Sequence, residues 1–199
     1  MRRISANYVY PVSSHTIKNG IIDLDADGKI LNVTDPGPTM RETRKMEFYN
    51  GILVPGFVNT HSCLEQSFLK GKLEPSGKLR SFSSRQEEQD PSIDFGIKEK
   101  AMRRADREMR TNGIRAALDI MKTSESVHIK ADSSIFYFNV VELCDLEKGK
   151  WSDSFQTGLS IEKELHKNDL KGKMTPGAVF FDRVELLEQL GRHLRSFSE

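Results

Sequence analysis

The chain has 199 residues, 37% of them apolar, and its 30 Lys and Arg against 29 Asp and Glu leave a formal charge of +1. The length allows one or two domains with a sizeable core, and the charge balance lacks the basic footprint of a nucleic-acid partner. Two cysteines, Cys63 and Cys144, do not make a disulfide framework. No apolar run reaches the length of a membrane span and the first twenty residues lack the apolar core of a secretory signal, which together predict a cytoplasmic protein.

The first fifty residues read as short strands and turns. Residues 4–12 are β-formers interrupted at Pro11. Residues 20–25 alternate, and Asp27-Gly28 is a turn signal before a second run, 29–33, so the two runs predict a hairpin. A further short strand is expected from Met46 to Tyr49, closed by Asn50-Gly51. Residues 1–51 are therefore read as a small β domain. Residues 52–61 are nearly continuous apolar sequence ending in polar residues, the pattern of a buried strand whose C-terminal end opens onto solvent.

A loop rich in Ser, Gly, Lys and Glu follows from Gly71 to about Pro91. From Ile97 the period becomes helical, with Ile97, Ala101, Ala105 and Met109 four apart and Met102 beside them. Residues 98–110 carry six basic and three acidic side chains, which reads either as a solvated helix face or as a surface for an acidic partner. Asn112-Gly113 ends the helix. Strands are expected over 114–120, 135–143 and 174–181, with a short helix or loop over 122–134 and a weak helical segment near 159–165. The last segment reads as an amphipathic helix with Asp182 as N-cap and Glu185 three residues on. Strands alternating with helices after residue 51 argue for βα units and a mostly parallel sheet; four such strands are half of an eightfold barrel.

His61 and Cys63 stand two apart at the end of the 52–61 strand, and residues two apart share a strand face. Imidazole and thiolate both ligate zinc, but two ligands do not close a site. Spacing alone favours the plainer reading: a locally hydrogen-bonded histidine beside a cysteine packed as a small hydrophobe. The chain contains neither a glycine-rich phosphate cradle nor a Gly-x-Ser-x-Gly elbow.

The stretch Pro55-Gly56-Phe57-Val58-Asn59-Thr60-His61-Ser62-Cys63 resembles the start of the amidohydrolase-superfamily barrel, in its cytosine-deaminase and chlorohydrolase branch. Cys63-Leu64-Glu65 and Leu69-Lys70-Gly71 continue the likeness, as do Ala105-Asp106, Gly113-Ile114 and Asp119-Ile120. The resemblance implies an α/β fold: a partial (β/α) TIM barrel with about four of eight strands over residues 52–199, preceded by a small β-sandwich-like domain. It implies zinc as cofactor, with His61 as first metal ligand and Cys63 where the second histidine belongs. Gly177, in Thr175-Pro176-Gly177-Ala178, stands where the family has a substrate-loop histidine. None of His15, His128, His166 or His193 lies in a matching motif, and the His-x-x-Glu segment is absent. The expectation is a truncated, degenerate relative without hydrolase activity on its own. The alternatives are a metal-dependent hydrolase or deaminase acting on C–N or C–Cl bonds of ring substrates, completed by a second copy or another chain, and a non-catalytic binding protein.

Overall fold

The computed structural model describes residues 2–38, 46–72, 93–143, 151–177 and 184–195. The chain divides into two compact units, residues 1–56 and 57–199.

In the first unit, β1 (Arg2–Val9), β2 (Ile17–Lys18), β3 (Ile21–Leu24), β4 (Ile30–Thr34) and β5 (Met46–Leu53) form one five-stranded sheet. β1 pairs antiparallel with β2 and β3, and parallel with β5. The expected hairpin is β3–β4, in antiparallel register from Ile21↔Thr34 to Leu24↔Ile30. Its turn is closed by Asp25, whose Oδ1 accepts the N–H groups of Asp27 and Lys29 at 2.9 and 2.8 Å, while Gly28 takes the positive φ of 82° that the turn needs. Val9, Ile17 and Ile22 form a small buried cluster. The strand expected at Met46–Tyr49 runs on to Leu53, through Asn50-Gly51. The single strand read over 52–61 is therefore two: its start ends β5 in this sheet, and its remainder lies in the second unit. Val54-Pro55-Gly56 separates them, since proline gives no N–H to a ladder.

The second unit holds β6 (Phe57–Ser62), a 3₁₀ helix (Leu64–Leu69), α1 (Phe95–Thr111), β7 (Ile114–Met121), α2 (Val127–Ala131), β8 (Phe136–Leu143), α3 (Trp151–Lys167), β9 (Lys171–Pro176) and α4 (Val184–Arg195). The sheet order is β6-β7-β8-β9 and every pairing is parallel, as the strand–helix alternation predicts. The helical segment read as weak near 159–165 is the seventeen-residue α3. The fourth strand lies three residues earlier than expected, because Lys171-Gly172-Lys173 pairs with Phe138-Asn139-Val140 despite its low β-propensity. The 71–91 loop from residue 73 onward, Cys144, and the Asp182 cap lie outside the described residues.

One face of this sheet is packed by helices. Alternate strand residues point into it: Ala117, Met121, Tyr137, Val141, Leu143 and Met174 are each at most 3% exposed. They pack in two clusters, one with Leu64, Met102 and Ile129, the other with Phe155, Ile161, Leu165 and Leu190. The opposite face carries the intervening residues, and there Val58 is 62% exposed, Phe136 54% and Phe138 37%. β6, read as a buried strand, is mostly exposed. It lies at the end of the sheet with β7 as its one neighbour among the described residues. The stripe of α1 is also displaced: Met102, Ala105 and Met109 face the core, while Ile97 is 53% exposed. Lys98 takes an inward position instead, its ammonium 5.6 Å from the centre of the Phe68 ring and 3.7 Å from Glu125.

Candidate functional site

The strands of a parallel sheet all end on the same side, and here those C-terminal ends carry His61, Cys63, Lys122 and Glu142. β6 reaches its end through an irregularity: Asn59 pairs with Ala117, but Ser62 pairs with Asp119. Asn59 and Ser62 thus both sit with residues of the helix-covered face although they are three apart. Ser62 is buried, so His61 and Cys63, which flank it, leave the chain on the uncovered side. His61 is exposed, and its backbone N–H donates to Asn59 Oδ1 at 3.1 Å. Cys63 is half-buried and opens the 3₁₀ helix. Burial, with the carboxylates of Asp119 and Glu142 as further contributors, raises the pKa of its thiol. Lys122 and Glu142 form an ion pair at 3.4 Å beside it.

The acidic groups nearest this pair are committed elsewhere. Glu65 turns inward: its Oε2 accepts the N–H groups of Lys122 and Thr123 at 3.0 and 3.1 Å, and its Oε1 accepts the Ser126 hydroxyl at 3.3 Å. Burial raises the pKa of this carboxyl, and the backbone donors partly offset that. Asp119 is wholly buried. Its Oδ1 accepts the Leu64 N–H at 2.9 Å and its Oδ2 faces Lys130 Nζ at 2.6 Å. Lys130, also wholly buried, donates in addition to Asn139 Oδ1 at 2.8 Å. These contacts tie the segment after β6 to the loop after β7. Neither was visible in the sequence as a site feature, although a charged residue in each of two apolar runs, 117–121 and 127–131, is the pattern a buried pair leaves.

The remaining histidines do not converge on this end. His128 meets Glu99 at 3.1 Å, His193 meets Glu162 at 2.6 Å, and His15 belongs to the first unit, 3.9 Å from Asp35. Gly177 is buried and donates its N–H to Leu143 O at 3.2 Å, so the backbone there extends the pairing of β9 with β8. Among the described residues no group of three or more His, Cys, Asp or Glu side chains is placed to hold a metal. A catalytic zinc takes three protein ligands. Among the described residues His61 and Cys63 are two candidate ligands without a third, so they do not meet that requirement.

No family model matches the chain and no curated protein matches it. Solved structures do. The guanine deaminase from C. acetobutylicum, with guanine bound in its active site, aligns with a TM-score of 0.75 at 16% identity, covering 99% of this chain and 51% of that one. The Helicobacter pylori aminofutalosine deaminase aligns with 0.68 at 18% identity, covering 88% of this chain and 44% of that one. An adenosine deaminase from Xanthomonas campestris with bound zinc aligns with 0.66 at 15% identity, covering 95% and 47%. Identities this low speak for the fold alone, and the chain spans about half the length of the structures it matches. No helix among the described residues is long and apolar enough to cross a membrane. The expectation raised by Pro55–His61 holds at this level: the chain has the fold of the amidohydrolase-superfamily deaminases, over about half of their length.

Proposed function

We propose that this chain is an amidohydrolase-like protein, a small β domain followed by the N-terminal half of a (β/α) barrel, that does not hydrolyse substrates on its own. The commitment of Glu65 and Asp119 carries this reading. A hydrolytic zinc centre lowers the pKa of a bound water and needs a nearby carboxylate to move its proton. Among the described carboxylates at this end, Glu65 and Asp119 are buried and occupied by backbone N–H groups, a hydroxyl and Lys130, and Glu142 is ion-paired with Lys122. The test is elemental analysis of chain purified without chelator, together with turnover of aminated purines and pyrimidines. Metal well below one equivalent per chain and no ammonia release are the expected results. One zinc per chain, lost in His61→Ala, with turnover by the isolated chain, overturns the reading.

The uncovered sheet face supports a second reading. Parallel sheets are ordinarily covered on both faces, and Val58, Phe136 and Phe138 present an apolar surface on the open side. In this reading a second copy or another chain covers that face and completes a metal-dependent hydrolase, to which His61 and Cys63 contribute ligands. Ammonia release appearing only in a purified complex, and lost in His61→Ala, distinguishes it from the first.

A further inference from the structure

Between the 3₁₀ helix and α1 lies a cavity of about 510 Å³, open on one side to solvent, within the size range of small-molecule sites. Its residues belong to neither the strand ends nor the uncovered sheet face, so it stands apart from the function proposed above. The floor is apolar: the Phe68 ring is 5% exposed, and Ala101 and Ala105, one helical turn apart, present only methyl groups. Small residues at that spacing let a ligand approach the helix backbone. Ile97 supplies an exposed aliphatic edge, 53% accessible, left out of the protein core.

The charge around this floor is unbalanced. Among the described residues, Lys70, Lys72, Lys100 and Arg104 line the cavity against one carboxylate, Glu108. Glu108 is already shared: Lys70 Nζ donates to its Oε2 at 2.7 Å and Arg104 Nε to its Oε1 at 2.9 Å. Both contacts hold its carboxyl below the usual range, so it stays ionised. The ammonium of Lys72 lies 5.9 Å from the centre of the Phe68 ring, and among the described residues that of Lys100 is paired with no carboxylate. The surplus among these five side chains is three positive charges. A monoanion leaves most of it uncompensated, whereas a dianion on a compact apolar body answers both the rim and the floor.

We propose that this cavity binds a small organic phosphate, a phosphate monoester whose apolar group lies on Phe68, Ala101 and Ala105 and whose phosphoryl oxygens take hydrogen bonds from Lys100 and Arg104. Lysine and arginine are the ordinary phosphate donors. The ester oxygen links the two halves, and no bond is made or broken.

The test is titration of the full 199-residue chain with phenyl phosphate, followed by amide shifts of α1, beside inorganic phosphate and benzyl alcohol. Phenyl phosphate saturates the shifts and competes with neither salt nor the alcohol on equal terms. Exposed charge pairs are worth up to about 1 kcal/mol. Lys100→Ala and Arg104→Ala therefore each weaken binding about three- to fivefold. Glu108→Gln removes the competing carboxylate and tightens binding by a similar factor, an opposite sign that damage to the fold cannot produce. Ile97→Asp weakens phenyl phosphate more than inorganic phosphate. The proposal is overturned by shifts linear in ligand, by inorganic phosphate binding as tightly as the ester, or by Glu108→Gln weakening binding. It is equally overturned if an acidic peptide or anionic vesicles saturate the site and phenyl phosphate does not.

Discussion

Replacing Lys130 by methionine isolates the energetics of the centre of the sheet unit. The Lys130 ammonium and the Asp119 carboxylate meet at 2.6 Å, and both side chains are wholly buried. Methionine fills nearly the same volume, so cavity formation contributes little. What remains is a carboxylate in the interior with one donor, the Leu64 N–H, and an Asn139 Oδ1 stripped of its partner. Removing one partner from a buried pair costs about 3–5 kcal/mol, a large share of the roughly 5–15 kcal/mol that holds a domain folded. Adding Asp119→Asn removes the stranded charge and keeps an acceptor for Leu64. The double variant is therefore expected to be more stable than Lys130→Met alone, by about 2 kcal/mol or more. Urea unfolding followed through Trp151, the chain's one tryptophan and a residue of α3, reads this unit without the first. A Lys130→Met variant within about 1 kcal/mol of the parent, or a double variant no more stable than the single, refutes the reasoning.

Three further outcomes follow from the same contacts. Glu65 is buried with its pKa raised, so the folded state binds its proton more tightly than the unfolded chain does. The parent is therefore expected to lose stability relative to Glu65→Gln as pH rises from the ordinary carboxyl range through the folded-state pKa, a difference that parallel urea titrations at several pH values measure; a constant difference contradicts it. In a Cys144→Ser background, Cys63 should alkylate with iodoacetamide more slowly than free cysteine near neutral pH and accelerate only at higher pH. Glu142→Gln should speed it at fixed pH, because the thiolate is the reacting form and the nearby carboxylate opposes it. Gly172→Ala should destabilise by about 1–3 kcal/mol in thermal or urea unfolding, since its new methyl would stand 2.9 Å from the Asn139 carbonyl oxygen and 2.8 Å from Leu165 Cδ1.

Much of the sheet unit was legible because its strands and helices alternate with clear changes of period. β7 and β8 fall within a residue or so of their expected starts, and Asn112 ends α1 as read. The failures share a cause: burial there is decided by tertiary partners. A nearly unbroken apolar run over 52–61 suggested one buried strand, yet the chain uses Pro55-Gly56 to change sheets and leaves Phe57 and Val58 exposed. The sequence puts β9 too late because Lys171-Gly172-Lys173 has little strand propensity of its own and is held by pairing with β8. At the strand ends, the motif around His61 was readable, but the two carboxylates that decide the local chemistry were not. Their roles depend on pairing across about 57 residues of chain, from Glu65 to Lys122, and on a lysine that reads as surface until Asp119 is set opposite it.

The parallel pairing of β1 with β5 has a consequence for the order in which the first unit takes shape. β1 lies within the sheet, yet one of its two flanks is filled by the last strand of the unit, Ile4 opposite Glu47 and Val9 opposite Leu53. The β3–β4 hairpin closes locally and can form as soon as it leaves the ribosome, but the second flank of β1 stays open until residue 53 has emerged. Closing so long a loop is entropically slow compared with a hairpin. During synthesis β1 is therefore an unpaired edge, with backbone N–H and C=O groups ready to accept any extended segment.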